Sequence, residues 1–337
     1  MENTTLSPTS TFDMAVSAWY EIPICALIAL LGTLFNTLSL VYFIKYESEQ
    51  LGSKLLMLLN VFDLCVCTSS ALIVFMEILR SSTSSDHTLD VVMAVYVVAS
   101  ESTSFSTCLL SVVRCWCLCF PFNKVNNCHL VLSTACFLAY ILGREIAYTA
   151  IRWNGVHRDL FITFGLVREY LTIVSICSII IIVIVSNMIS IKKVIAARGS
   201  KDLIEVTKRA AVTVFLVSSI FCLYNSSFIV LFCIFLNIPR SSDLGMYFLE
   251  FLTFRVFLPM NSATNPLIYL LRKVEMRQFV LSWLYRIKIT ILRLFGRQTP
   301  NGTGQNGEEL ASLTENGRTE ASIGYANEKK YLKQNSN

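Results

Sequence analysis

The chain has 337 residues, of which 54% are hydrophobic and only 15% are charged, and its formal net charge is +5. Because soluble domains carry about 25% charged residues, this composition excludes an ordinary soluble protein. Several apolar runs are longer than the roughly 20 residues with which a helix crosses a bilayer. The sequence therefore predicts an all-α membrane protein with several spans.

Residues 1–18 are polar, rich in serine and threonine, and carry no basic residue. They predict a short flexible tail rather than a cleavable signal peptide, which would begin with positive charge. Asn3 begins an Asn-Thr-Thr sequence, which is a glycosylation acceptor if it lies outside the cell.

Seven apolar segments follow within residues 19–271. The predicted spans cover residues 19–45, 54–79, 89–120, 130–151, 166–191, 206–236 and 244–271. The loops on one side of the membrane are rich in lysine and arginine. The loops on the other side hold only four arginines: Arg80, Arg152, Arg158 and Arg240. Since basic loops stay in the cytoplasm, the N-terminus is predicted outside and the C-terminus inside.

Residues 272–295 predict an eighth helix of a different kind. Apolar residues recur on one side at helical spacing, from Phe279 to Ile291, and arginines mark the other side. This pattern is typical of a basic amphipathic helix that lies in the membrane interface. Residues 296–337 are polar and poor in large apolar side chains, so they predict a disordered cytoplasmic tail.

Twelve cysteines are present, but their positions do not predict a disulfide framework. Eight lie in apolar runs, where cysteine is a small apolar filler. The other four cluster near one inner loop: Cys115, Cys117, Cys119 and Cys128. No cysteine and histidine spacing is typical of a metal site.

The stretch from Leu258 to Val280 carries the most specific pattern. Pro266 removes a backbone donor within an apolar segment, which predicts a kink. In lipid the freed carbonyl has to be satisfied by neighbouring polar groups, and three candidates precede the proline: Asn261, Ser262 and Asn265. A packing kink of any helical membrane protein is the alternative interpretation.

This stretch resembles the last helix of rhodopsin-like (class A) G-protein-coupled receptors, whose Asn-Pro-x-x-Tyr motif it matches from Asn265 to Tyr269. The resemblance implies a bundle of seven transmembrane helices with a short amphipathic eighth helix. It also implies a plasma-membrane receptor that activates a heterotrimeric G protein when an extracellular small molecule or peptide binds.

Asp63 lies inside the second predicted span, where a carboxylate is costly and therefore a candidate functional residue. A structural polar anchor is the alternative. Asn36 and Asp63 match the asparagine and aspartate of the family's first two helices, and the resemblance implies a buried sodium ion. Its other expected ligands carry oxygen atoms suited to a hard cation: Thr103, Asn261, Ser262 and Asn265.

Arg114 ends the third predicted span, where a single arginine is often only snorkelling to the interface. The resemblance instead matches it to the family's G-protein-contacting arginine, although Val113 replaces the usual acid and Cys115 the usual tyrosine. Glu205 matches the acidic partner of that arginine on the sixth helix. The resemblance thus implies an inactive-state pair between Arg114 and Glu205.

Other positions depart from the family pattern. Leu223 and Asn225 stand where the sixth helix usually has tryptophan and proline, and Leu89 takes the place of the cysteine that forms the outer disulfide. These departures indicate a divergent member, of the sort found in expanded invertebrate receptor sets.

The predicted ligand contacts are few. Tyr96 occupies the position of the aspartate in amine receptors, so a biogenic amine is not expected. Arg255 is suited to a ligand carboxylate. The charged candidates in the outer half are Glu77, Glu101, Arg144, Glu145, Arg168, Glu169, Glu250 and Arg255. An internal pair of Arg255 with Glu77 or Glu101 is the alternative.

The rival functions are a transporter or channel, an enzyme, and a receptor-like scaffold. A transporter or channel would often show internal repeats with breaks in both halves, and only the seventh span has such a break. An enzyme would need a nucleophile and base, a phosphate loop or a metal motif, and none is evident. A receptor-like scaffold without G-protein coupling stays open because the motifs are degenerate. Membrane lipids are expected partners, and neither nucleic acid nor a cofactor other than sodium is expected.

Overall fold

The described part of the chain is helical throughout, which confirms the all-α prediction. The computed structural model describes residues 8–47, 51–79, 86–120, 126–154, 158–196, 201–237 and 255–294. Eight helices lie in these ranges: α1 (Pro8–Tyr46), α2 (Leu51–Leu79), α3 (Asp86–Cys119), α4 (Asn127–Trp153), α5 (Arg158–Ala196), α6 (Lys201–Asn237), α7 (Leu258–Arg272) and α8 (Val274–Leu294). The glycosylation acceptor Asn3 and the predicted tail from residue 296 lie outside the described residues.

Among the described residues, five helices are long and apolar enough to cross a membrane, so the chain is a multi-pass membrane protein. The apolar stretches are Ile22–Tyr46, Leu51–Met76, His87–Cys119, Asn127–Trp153 and Thr163–Ile195. A shorter apolar stretch, Phe215–Leu231, lies within α6. Large apolar side chains are exposed along these helices, as in Ile146 and Val174. Contact with lipid would remove such apolar surface from water.

The start of the first helix differs from the sequence prediction, whereas the bounds of the last helix match it. The first helix begins at Pro8 and not at residue 19, and proline is favoured at the first helical position because its missing N–H is not needed there. The basic helix predicted over residues 272–295 is α8, which runs from Val274 to Leu294. The chain divides after Tyr269 into two compact units, and α8 belongs to the second.

Within the first unit, α3 is the central helix. It contacts α2, α4, α5 and α6. One buried apolar cluster joins four of these helices and α7: Val66, Ile73, Tyr96, Ala99, Ile176, Phe228 and Leu258. This packing places the middle of α3 against side chains from most of the bundle.

The fourth helix is attached in a different way. Of the five membrane-spanning stretches, that of α4 has the smallest buried share. Its buried residues are Ile141, Arg144 and Glu145. Two of these three side chains are charged, so ionic groups make up most of the buried contact, and the ring of Phe137 also stacks on Phe105 of α3 at 4.0 Å.

Gly32 of α1 lies close to both α2 and α7. A Cβ atom built on this residue would lie 2.4 Å from Cys67 Sγ and 3.0 Å from Ala263 Cβ. Only glycine fits without displacement of a neighbour, because both distances are below normal van der Waals contact. The glycine thus allows the backbone of α1 to approach the other two helices.

We expect Gly32→Ala to destabilise the protein by about 1–3 kcal/mol, the usual cost of overpacking a core. The thermal unfolding of the purified protein in detergent measures this cost. Gly143→Ala is the matched control, because nothing lies within 4 Å of a Cβ atom at that position. Adding Cys67→Ala to Gly32→Ala should recover stability, and equal melting temperatures for Gly32→Ala and Gly143→Ala would contradict the close approach.

Candidate functional site

Asp63 is fully buried in α2 and holds two other helices through hydrogen bonds. Thr103 Oγ1 of α3 donates to Asp63 Oδ1 at 3.0 Å. Asn265 Nδ2 of α7 donates to Asp63 Oδ2 at 2.8 Å. Each carboxylate oxygen therefore accepts from a different helix, which is how a buried carboxylate offsets part of its desolvation cost.

The carbonyl freed by Pro266 is satisfied from α1. A proline at position 266 leaves the carbonyl of Ser262, four residues earlier, without its helical donor. Asn36 Nδ2 donates to this carbonyl at 3.1 Å and also to the Gly32 carbonyl at 2.9 Å. The sequence had predicted that polar side chains of α7 itself would satisfy the freed carbonyl, and the structure shows Asn36 of α1 as the donor. The helix α7 continues through Pro266 with this bond in place.

Two more oxygen atoms of the candidate cluster are buried without a bond. The Oδ1 atoms of Asn261 and Asn265 have no hydrogen-bond partner among the described residues. Ser262 is buried beside them on α7. Asn265 bonds the Asp63 carboxylate through its Nδ2, and a hard cation or ordered water satisfies buried oxygen atoms of this kind.

Tyr269 ends the Asn-Pro-x-x-Tyr motif inside the bundle. Its side chain is fully buried, and its ring meets Phe43 of α1 edge to face at 5.8 Å. The ring therefore packs against α1 inside the bundle. Its hydroxyl has no hydrogen-bond partner in the described part of the chain.

Arg114 is half-buried near the end of α3. The preceding Val113 packs in an apolar cluster with Leu55 of α2 and Leu110 of α3. One turn earlier, the hydroxyls of Ser111 and Ser218 lie 3.1 Å apart and connect α3 to α6. The side chain of Glu205 lies outside the described residues, so the predicted pair with Arg114 stays a prediction.

A second buried polar site joins α3, α4 and α5, and Arg144 is its centre. Arg144 Nη2 donates to Glu101 Oε1 and, at 2.9 Å, to Glu145 Oε1. Its Nη1 donates to Thr172 Oγ1 at 3.1 Å, and Thr172 in turn donates to Glu101 Oε1 at 3.1 Å. These bonds connect three helices through one guanidinium whose side chain is only 5% exposed.

Arg168 extends this site along α5. Its Nε donates to Glu145 Oε1 at 2.9 Å and its Nη1 to Glu169 Oε1 at 3.2 Å. The guanidinium also lies over the Tyr148 ring, 4.3 Å from the centroid, where the ring face attracts a cation. We call Glu101, Arg144, Glu145, Arg168 and Glu169 the ionic network.

The ionic network was only partly visible in the sequence. Glu101 was predicted to be a ligand contact, and the structure uses one of its oxygens for Arg144 and Thr172 while Oε2 has no hydrogen-bond partner among the described residues. A signal was present: the dipeptides at Arg144 and Arg168 are both Arg-Glu, each inside an apolar helix. Adjacent opposite charges in two spans indicate mutual pairing.

The other predicted ligand contacts are not members of the ionic network. Tyr96 is buried in the apolar cluster around Val66. Arg255 is half-buried just before α7, and its carbonyl accepts from Cys25 Sγ at 3.6 Å. The side chain of Glu77 lies outside the described part of the chain.

Comparison with family models and with curated proteins finds no match to this chain.

Proposed function

We propose that the chain is a G-protein-coupled receptor of the rhodopsin-like kind. The observation that carries the proposal is the 2.8 Å hydrogen bond between Asn265 Nδ2 and Asp63 Oδ2. It connects the Asn-Pro-x-x-Tyr sequence of α7 with the buried carboxylate of α2, two sequence features that the resemblance had identified independently. Asn36, the third matching residue, bonds the backbone of the same α7 turn.

The proposal includes seven membrane spans. The sixth contains α6, and the seventh is the predicted span 244–271, which contains most of α7. The apolar stretch Phe215–Leu231 of α6 supports the sixth. In this proposal the protein lies in the plasma membrane. With an odd number of spans and the basic loops inside, its N-terminus is outside the cell and its C-terminus is in the cytoplasm. The basic helix α8 then lies at the cytoplasmic surface.

Activation in this proposal is a population shift between two helix arrangements. The cytoplasmic end of α6 moves away from α3, and Arg114 becomes accessible to the G protein. The contact between Ser111 and Ser218 lies on the path of this movement. An extracellular ligand, either a small molecule or a peptide, favours the open arrangement by contacts in the outer half of the bundle.

We also propose that a sodium ion binds at Asp63. Asp63, Thr103, Ser262 and the unbonded Oδ1 atoms of Asn261 and Asn265 supply the oxygen ligands. The ion would supply one positive charge that offsets the buried carboxylate and favours the closed arrangement.

Asp63→Asn should remove the effect of sodium on stability, because the amide carries no charge. Its oxygen can still accept from Asn265, so the variant should fold. Asp63→Leu should lose about 1–3 kcal/mol for each buried donor left unpaired. Melting temperatures in sodium chloride and in choline chloride at equal concentration measure both effects. A sodium-dependent shift that persists in Asp63→Asn would refute this site.

Epitope tags at the two ends test the proposed orientation. In intact cells an antibody should reach an N-terminal tag and should reach a C-terminal tag only after permeabilisation. Labelling of the C-terminal tag in intact cells would overturn the orientation.

A G-protein activation assay in cells that express the chain tests the proposed function itself. We expect ligand-independent activation above that of mock-transfected cells, because Val113 supplies no acid to restrain Arg114. The receptor-like scaffold would be favoured if the protein reaches the surface but activates no G protein, either alone or with any ligand of a screen.

A further inference from the structure

A groove between α5 and α6 opens on the surface of the bundle. Its volume is about 160 Å³, and its lining includes Ile184, Asn187 and Met188 of α5 and Phe215, Ser218 and Ser219 of α6. The side chains of Ile184, Met188 and Phe215 are exposed. Both helices are apolar over these residues, so the groove opens towards lipid and not towards an aqueous loop.

Two polar side chains of this groove have no partner. Asn187 is only 9% exposed, and its amide makes no hydrogen bond to any described residue. The exposed hydroxyl of Ser219 makes none within the described part of the chain either. An amide in apolar surroundings without a hydrogen bond costs free energy. A polar group on the occupant would therefore be favoured over the acyl chain of a lipid.

The size and the lining of the groove indicate an aromatic ring. An apolar cavity of about 150 Å³ accommodates one benzene molecule, and the groove is of the same size at about 160 Å³. Met188 supplies a thioether and Phe215 a ring, and both make favourable contacts with an aromatic group. A hydroxyl on that ring can donate and accept, which matches an amide with a free donor and a free acceptor.

We propose that the groove between α5 and α6 binds a small, lipid-soluble phenol that enters from the bilayer. The ring lies between Met188 and Phe215, and its hydroxyl donates to Asn187 Oδ1 and accepts from the Ser219 hydroxyl. An aromatic hydrocarbon of the same size would leave the Asn187 amide without a partner, so it should bind more weakly. The proposal requires that the chain lies in a membrane, but it does not depend on the proposed receptor function.

Photolabelling with a phenol that carries a trifluoromethyl-diazirine group tests the proposal. The purified chain in lipid nanodiscs is irradiated with this probe, and mass spectrometry of the peptides locates the label. We expect the label on both helices, within residues 184–191 of α5 and 215–222 of α6. An excess of para-ethylphenol should remove most of the label, whereas the same membrane concentration of para-ethyltoluene should remove little.

Three variants separate the polar contact from the space in the groove. Asn187→Leu should lower the labelling about 3- to 10-fold, because one hydrogen bond is lost. This variant should melt no lower than the parent, since the amide has no hydrogen bond to lose among the described residues. Ser219→Phe puts a ring into the groove and should abolish the labelling. Ser226→Phe is the matched control, because Ser226 is exposed on α6 about two turns further along, and it should be labelled as the parent is.

Equal labelling of the parent and of Asn187→Leu would overturn the proposal, because the amide would then contribute nothing to binding. Equal competition by para-ethyltoluene would show an apolar groove that does not recognise the hydroxyl. Label confined to other helices would show that the phenol binds elsewhere. All of these measurements use the purified chain without a G protein, so a failure of the phenol site and a failure of the proposed function are seen separately.

Discussion

Arg144→Met should greatly reduce the amount of folded protein that reaches the cell surface. The substitution leaves Glu101 and Glu145 buried without the guanidinium that now donates to both. Removing one partner of a buried ion pair costs about 3–5 kcal/mol, and here Glu101 loses the guanidinium with which it is paired. A loss of this size is a large part of the stability of a typical domain.

Surface staining and the monodisperse fraction in size-exclusion chromatography measure this loss. Arg152→Met is the matched control. Arg152 is also an arginine of α4 in an ion pair, with Asp90 at 2.7 Å, but its side chain is 49% exposed. Exposed pairs contribute about 0–1 kcal/mol, so the control should behave as the parent does.

A second substitution sharpens this test. With every group ionised, the ionic network has three carboxylates and two guanidiniums, an excess of one negative charge. Glu101→Gln removes that excess, and we expect this variant to fold. In the combination with Arg144→Met it should recover part of the lost protein, because Glu145 still accepts from Arg168. Normal surface levels for Arg144→Met alone would show that the network does not hold α4.

Arg114→Ala should abolish G-protein activation while the protein still reaches the surface. In the proposed function, Arg114 donates hydrogen bonds to the G protein from the end of α3. Hydrogen bonds to a charged group are worth about 1.5–3 kcal/mol, which corresponds to roughly a 10- to 100-fold loss of affinity. The fold should tolerate the change, since Arg114 is only half-buried and the neighbouring Val113 keeps its packing with α2.

The measurement is activation per surface receptor in the G-protein assay. Arg114→Lys keeps the charge but lacks the planar fork of donors, so it should retain part of the activity. Arg152→Ala, at the other end of the bundle, should retain all of it. If Arg114→Ala activates as well as the parent does, Arg114 is a snorkelling side chain and the proposed coupling site is wrong.

The features that the sequence predicted are those that depend on local spacing. The bounds of α8 follow from apolar residues at helical spacing opposite arginines. The grouping of Asp63, Thr103 and Asn265 came instead from the resemblance of the sequence to a receptor family, and it agrees with the need of a polar side chain in an apolar span for a polar neighbour.

The rotation of each helix about its axis was not predictable. The spans are apolar on most sides, so periodicity does not tell which side faces lipid. For this reason Glu101 was interpreted as a ligand contact and not as a partner of Arg144. The role of Asn36 at the Ser262 carbonyl also depends on how closely α1 approaches α7, and that distance is set by Gly32.

The ionic network has a consequence for biosynthesis. An arginine or an acid at the centre of a span adds about 2.5–3.5 kcal/mol to the free energy of insertion by the translocon. Since α3 is synthesised before α4, Glu101 is already in the membrane when Arg144 arrives, and Arg168 follows with α5. We therefore expect α4 to leave the translocon as one unit with α3 and α5, so that a chain truncated after Trp153 is retained at the translocon longer than one truncated after Ala196.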